Sequence, residues 1–222
     1  VDRNSILLKF LVPALLALFS TAAPADDVRA VAQAVDSHYD HLHTLQADFS
    51  EIYTGTGVER TESGTVWLKK PGKMRWEYRS PKDKLFLSDG KDAWFYVPGE
   101  RQVRKTNTKE LNDLRSPLAF LLGKTRLEKE LLGLSFAPDV APLVPGEVIL
   151  RGVPRSMVDR VSLVMLEITA DRWIDRLIIE EVSGSTTEYR FTNQRENIAV
   201  SDEQFQFRVP HGVEVVNGDL GQ

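Results

Sequence analysis

The chain has no cysteine in 222 residues. A disulfide framework is therefore excluded, and so is a lipid anchor on a cysteine thiol. It has no Gly-x-Ser-x-Gly elbow, no His-Glu-x-x-His pair on a helix and no glycine-rich loop ahead of a helix. The common marks of hydrolase, zinc protease and phosphate-binding chemistry are thus missing. Carboxylates are plentiful but scattered, and no acid–base pair stands out. No enzyme and no cofactor is expected. Beyond residue 25 no stretch reaches the ~18 apolar residues of a membrane-spanning helix. The net charge of −4 argues against nucleic acid as a partner.

What is present begins at the N-terminus. Arg3 and Lys9 form a sparse basic region ahead of an apolar run from Phe10 to Ala23. Ala23-Pro24-Ala25 fits the small-x-small cleavage pattern. Residues 1–25 are expected to be a signal peptide cleaved after Ala25, leaving 26–222 as a single exported domain. Charge is segregated in that domain. From Val66 to Lys109 there are twelve Lys/Arg against five Asp/Glu, which reads as solvated strand faces or as a surface for an acidic partner.

Asp26 to Leu45 reads as a helix, with Val28, Val31, Val35, Leu42 and Leu45 on one stripe and no Gly or Pro. From Ala47 the apolar period falls to two. Strands are expected near 47–54, 61–70, 73–79, 84–88, 92–97 and 101–105, separated by Gly- and Pro-containing turns. Leu111, Leu114, Leu118, Leu121 and Leu122 have helical spacing, split by Ser116-Pro117, and 127–132 reads as a short helical turn. After a linker carrying Pro138, Pro142 and Pro145, strands resume near 147–153, 161–169, 173–182, 186–194 and 204–208. The expected fold is mainly β with short helices (α+β): an unclosed antiparallel β-barrel, or strongly curved sheet, with a helical lid.

His38, His41 and His43 lie close together, but not at one-face spacing. They read as ordinary helix-end histidines rather than a zinc site. The aromatics are more telling. The strands at 84–88 and 92–97 are apolar on both faces: Leu85, Leu87, Trp94 and Tyr96 point one way, Phe86, Phe95 and Val97 the other. A hairpin wet on one side should alternate. Both faces need cover, and one cover could be an apolar ligand.

At these residues the chain resembles the periplasmic outer-membrane lipoprotein carrier family (LolA). The matching stretches are Leu45-Gln46-Ala47-Asp48-Phe49, Gly64-Thr65-Val66-Trp67-Leu68-Lys69-Lys70-Pro71, Met74-Arg75-Trp76, and Ser88-Asp89-Gly90-Lys91 through Trp94-Phe95-Tyr96-Val97-Pro98. Ser116-Pro117-Leu118, Phe205-Gln206-Phe207 and Pro210-His211-Gly212-Val213 extend the match. The resemblance implies an unclosed barrel whose cavity holds the acyl chains of lipoproteins. It implies cargo taken from an inner-membrane lipoprotein-releasing ABC transporter and passed to the outer-membrane receptor LolB. A periplasmic monomer is expected. A lipid- or lipoprotein-binding envelope stress sensor on the same fold is the alternative.

In many family members an Arg before the strand-ending Pro locks the lid. Here that position is Lys70, which donates hydrogen bonds but lacks the planar fork. The expected lid is 28–45 with 111–122. The expected acyl-chain lining is Met74, Trp76, Tyr78, Trp94, Tyr96 and Leu118.

Overall fold

A computed structural model describes residues 27–108 and 126–218. Helix α1, Val28–His41, starts at Asp27, whose carboxylate accepts from the Arg29 amide at 3.0 Å. It ends four residues before the expected Leu45. Leu42 is already extended, and Asn197 takes the His43 amide at 2.9 Å while the Thr44 hydroxyl donates to the Ile198 carbonyl. Pairing of Thr44 with Lys69 then starts a strand, so tertiary hydrogen bonding overrides the apolar stripe.

The strands are β1 Thr44–Gly55, β2 Val58–Lys69, β3 Lys73–Ser80, β4 Lys84–Asp89, β5 Asp92–Tyr96 and β6 Gln102–Asn107. After a four-residue helix, α2 (Leu127–Glu130), come β7 Leu131–Phe136, β8 Val148–Pro154, β9 Val161–Ile168, β10 Ile174–Glu181, β11 Thr186–Glu196 and β12 Glu214–Asn217. Local chemistry explains the tight meander. Thr56 and Gly57 both have positive φ, as a two-residue turn matched to strand twist requires. At the β4–β5 turn the Asp89 carboxylate accepts from the amides of Lys91 and Asp92, each at 2.8 Å.

Among the described residues twelve strands join one sheet in the order β12-β6-β5-β4-β3-β2-β1-β11-β10-β9-β8-β7. Every pairing is antiparallel except β12 with β6. The end strands β12 and β7 do not pair, so the barrel is unclosed, as expected. Two expectations change. Residues 204–208 are no strand: Asp202–Phe205 is a 3-10 turn, and the last strand is Glu214–Asn217. The expected helical turn over 127–132 stops at Glu130, and β7 follows. Gly133, at φ 66°, interrupts the β7 ladder between Leu132 and Ser135.

The sheet bends toward α1. β3 and β11 are three strand spacings apart, about 14 Å on a flat sheet. Yet the Trp76 ring on β3 lies 5.8 Å from Tyr189 on β11. The concave face and α1 share one apolar cluster, joining Val31, Val35 and Tyr39 to Phe49, Trp76, Leu166 and Phe191. Among the described residues no helix is long and apolar enough to cross a membrane.

The convex face has covers of its own. The stretch after Phe136 lies over Ile149, Met165 and Ile178 through Ala137 and Val140. The stretch after β11 lies over β3 and β4 through a fully buried Phe205.

Candidate functional site

Strand register decides which aromatics share a surface. Trp76 pairs with Val66 on one side and Phe86 on the other, and Phe86 pairs with Phe95. Directly opposed residues point to the same face. Met74, Trp76, Tyr78, Phe86 and Phe95 therefore line the concave side, with Phe49 and Phe191 beside them. Trp76 is the centre. Its ring meets Phe49 at 4.6 Å and 62°, an edge-to-face geometry that aromatic quadrupoles favour. Phe49 in turn meets Tyr78 at 4.9 Å.

The expected lining splits. Trp94 pairs with Leu87 and Tyr96 with Leu85, while Leu87 pairs with Arg75. Both rings thus lie on the convex face. There Trp94 stacks on Phe207 at 6.1 Å and 21°, and Tyr96 meets the same ring at 5.8 Å. The doubly apolar hairpin has its protein cover on that side. The Arg75 guanidinium fixes the cover by donating to the Gln204 carbonyl at 3.2 Å, and Asp202 accepts from Lys69 and Lys73 at 2.7 and 3.0 Å. Leu118, with the rest of 111–122, lies outside the described residues. Phe49, Phe86, Phe95, Tyr189 and Phe191 are concave aromatics outside the expected lining. For Phe86 and Phe95 strand register is the missing signal, since period-two patterning cannot pick a face when both are apolar; for Phe49, Tyr189 and Phe191 it is the β1–β11 pairing, which brings a C-terminal strand beside β1.

One end of the concave face is polar. Glu51 is 5% exposed and accepts from the Tyr78 hydroxyl at 2.8 Å. Tyr189, its partner across the β1–β11 ladder, brings a second buried phenol. Burial pushes the Glu51 carboxyl above its ordinary range, against the Tyr78 hydrogen bond, which lowers it. Burial also raises both phenols. Beside them Glu62 is closed by Lys84 at 2.5 Å, and that ammonium sits 4.3 Å from the Tyr78 ring centre.

Helix α1 is fastened over this face at its C-terminal end. Lys70 Nζ donates to the Tyr39 carbonyl at 2.5 Å and the Asp40 carbonyl at 3.2 Å. A cation on the terminal carbonyls satisfies orphan acceptors and the helix dipole together. Burial holds the Lys70 pKa below its usual value, with Asp40 acting the other way. The Tyr39 hydroxyl accepts from the Ile174 amide at 3.1 Å. Asp36 accepts from the Leu127 amide at 3.1 Å, tying α2 to α1. The histidines do ordinary work. His38 packs edge-on against Trp173 at 4.4 Å, and His41 Nδ1 lies 2.6 Å from the Ser37 carbonyl. Among the described residues no group of His, Asp or Glu is placed to hold a metal.

Met74 and Trp76 are only 6% and 2% exposed, so the chain itself covers the centre of the concave face. An apolar molecule can reach Trp76 only if that cover moves. The arrangement offers non-directional apolar contact, a helix packed on that surface through Val31, Val35 and Tyr39 and fastened at its end by Lys70, and a polar end.

Residues 40–208 match the family described as outer membrane lipoprotein carrier protein LolA. The outer-membrane lipoprotein carrier protein of Chromobacterium violaceum is 32% identical over 199 residues, 89% of this chain and 92% of its own length. That of Methylococcus capsulatus is 30% identical, covering 81% of this chain and 84% of its own length. The fold is similar to that of an uncharacterized conserved protein from Thermus thermophilus. Its TM-score is 0.54 at 12% identity, covering 85% of this chain and 97% of the other. The chain belongs to the outer-membrane lipoprotein carrier family.

Proposed function

We propose that this protein is a periplasmic carrier that hides the acyl chains of lipoproteins against its concave face. It takes them from an inner-membrane ABC transporter and hands them to the outer-membrane receptor LolB. Residues 1–25 direct export and are removed after Ala25. The carrying observation is the aromatic floor around Trp76, lying under a helix that is fastened by polar contacts to Lys70, Ile174 and Leu127. Each CH₂ kept from water is worth about 0.8 kcal/mol, so two or three chains amount to on the order of tens of kcal/mol. Release into water is negligibly slow at that cost, and transfer must go by direct contact. No covalent step is needed. Met74, Trp76, Tyr78, Phe86 and Phe95 supply the contact surface, with Leu118 from the second lid segment. Trp94 and Tyr96 serve the convex cover instead.

Mass spectrometry of mature protein purified from native periplasm is the direct check. It should find acylated lipoprotein, and Trp76→Ala should lose most of it. Protein that never carries acylated cargo, whatever the conditions, would overturn the proposal. Capture of a signalling protein without transfer of cargo to LolB would favour the envelope-sensor alternative.

A further inference from the structure

Trp76 carries a polar group that the fold does not use. Buried indole N–H groups normally find an acceptor. Trp76 is 2% exposed, and among the described residues its Nε1 has no hydrogen-bond partner. The rings around it, Phe49, Phe191 and Tyr189, at 4.6, 6.3 and 5.8 Å, make an aromatic cage. The next polar group along the strand on this face, the Tyr78 hydroxyl, is already bonded to Glu51. Phenylalanine would give a similar apolar surface without a desolvated donor. The donor therefore asks for an acceptor that arrives with a ligand.

An acyl chain is joined to the glyceryl or amino group of its lipoprotein through a carbonyl, the one strong acceptor at the head of an otherwise apolar chain. We infer that Trp76 Nε1 donates a hydrogen bond to an acyl carbonyl oxygen of the bound lipid, so that the hollow recognises the ester or amide linkage as well as the chain. This rests on the carrier reading. The N–H becomes available when the cover over Trp76 moves, and the bond then sets the depth at which the chains lie.

The probe is a pair of fluorescent lipopeptides. One carries two ester-linked palmitoyl chains on S-glyceryl-cysteine. The other carries matched ether-linked alkyl chains, whose oxygens are poorer acceptors. Binding to the mature wild-type protein, read by anisotropy, should favour the ester by roughly fivefold to tenfold. Trp76→Phe should bind both ligands alike, near the ether affinity. Independently of any variant, the Trp76 indole ¹H–¹⁵N resonance should move downfield with the ester ligand and much less with the ether. Equal wild-type affinities, an ester preference that survives in Trp76→Phe, or equal indole shifts would each overturn the inference and leave the carrier reading standing. Binding of neither ligand would overturn both.

Discussion

Lys70 offers a single ammonium, and it reaches two carbonyls at the end of α1. Its contribution should be about 1 kcal/mol, because the group is partly solvated. Lys70→Met should therefore speed amide exchange across Val28–His41 about fivefold while leaving the β1–β2 ladder unchanged. Lys70→Arg should restore protection. Equal exchange in Lys70→Met and wild type would remove Lys70 as a fastener. Glu51 gives a second expectation. Its raised pKa means that the folded protein holds this proton more tightly than the unfolded chain does. The resulting stabilisation is full below the unfolded value, near 4.3, and is lost as pH rises through the folded one. Glu51→Gln keeps a neutral side chain at every pH. Its urea midpoint should thus gain on the wild type between pH 4 and pH 8, and a constant gap would contradict that. Single residues were the hardest part to read in advance. Met74, Trp76 and Tyr78 alternate with Arg75, Glu77 and Arg79, so their shared face was evident. Trp94 and Tyr96 sit in a strand apolar on both sides, and only pairing with Leu87 and Leu85 assigns them to the convex cover. Glu51 carries no sequence mark, because its depth comes from β2, β3 and β11 closing around it.

The elements followed from periodicity wherever a strand had turn residues at both ends. β2, β3, β4, β9, β10 and β11 lie within a few residues of the expected ranges. The misses have physical causes. Leu131 and Leu132 extend the helical reading of 127–132 because Gly133 inserts a bulge that breaks the strand alternation after them. Phe205 and Phe207 mimic a strand, but the chain there runs across the sheet rather than along it. Phe205 anchors that crossing and is completely buried. Phe205→Ala should cost about 3–5 kcal/mol of stability, measured by urea unfolding. Lipopeptide affinity of the folded variant should stay within twofold of wild type, because this cover lies on the convex face. A large loss of affinity would place the binding surface on the wrong side of the sheet.

For the whole molecule, turn spacing alone predicted a large curved sheet. What it could not supply was the order of the strands. The first strand lies in the middle, flanked by β2 and by β11, and the N- and C-terminal meanders spread outward from that seam. The asymmetry of the two faces follows from this layout. Loops following β7 and β11 return over the convex side, whereas α1, entering β1 at the centre, lies over the concave side. Both covers are anchored by buried apolar side chains, Val31, Val35 and Tyr39 on the concave side and Ala137 and Phe205 on the convex side, and α1 adds polar fasteners at Lys70, Ile174 and Leu127.

The central seam also constrains the order in which the molecule comes together. Leu45 pairs with Glu196, so the two strands that join the halves are separated by almost the whole domain. Each meander can form from local hairpins, but their union must wait for residue 196 to arrive and then bear the entropy of closing that loop. Assembly kinetics should thus be governed by this one late encounter. Until then the aromatic residues of both halves stand open to water, and a chain delivered N-terminus first is vulnerable to aggregation through most of its emergence.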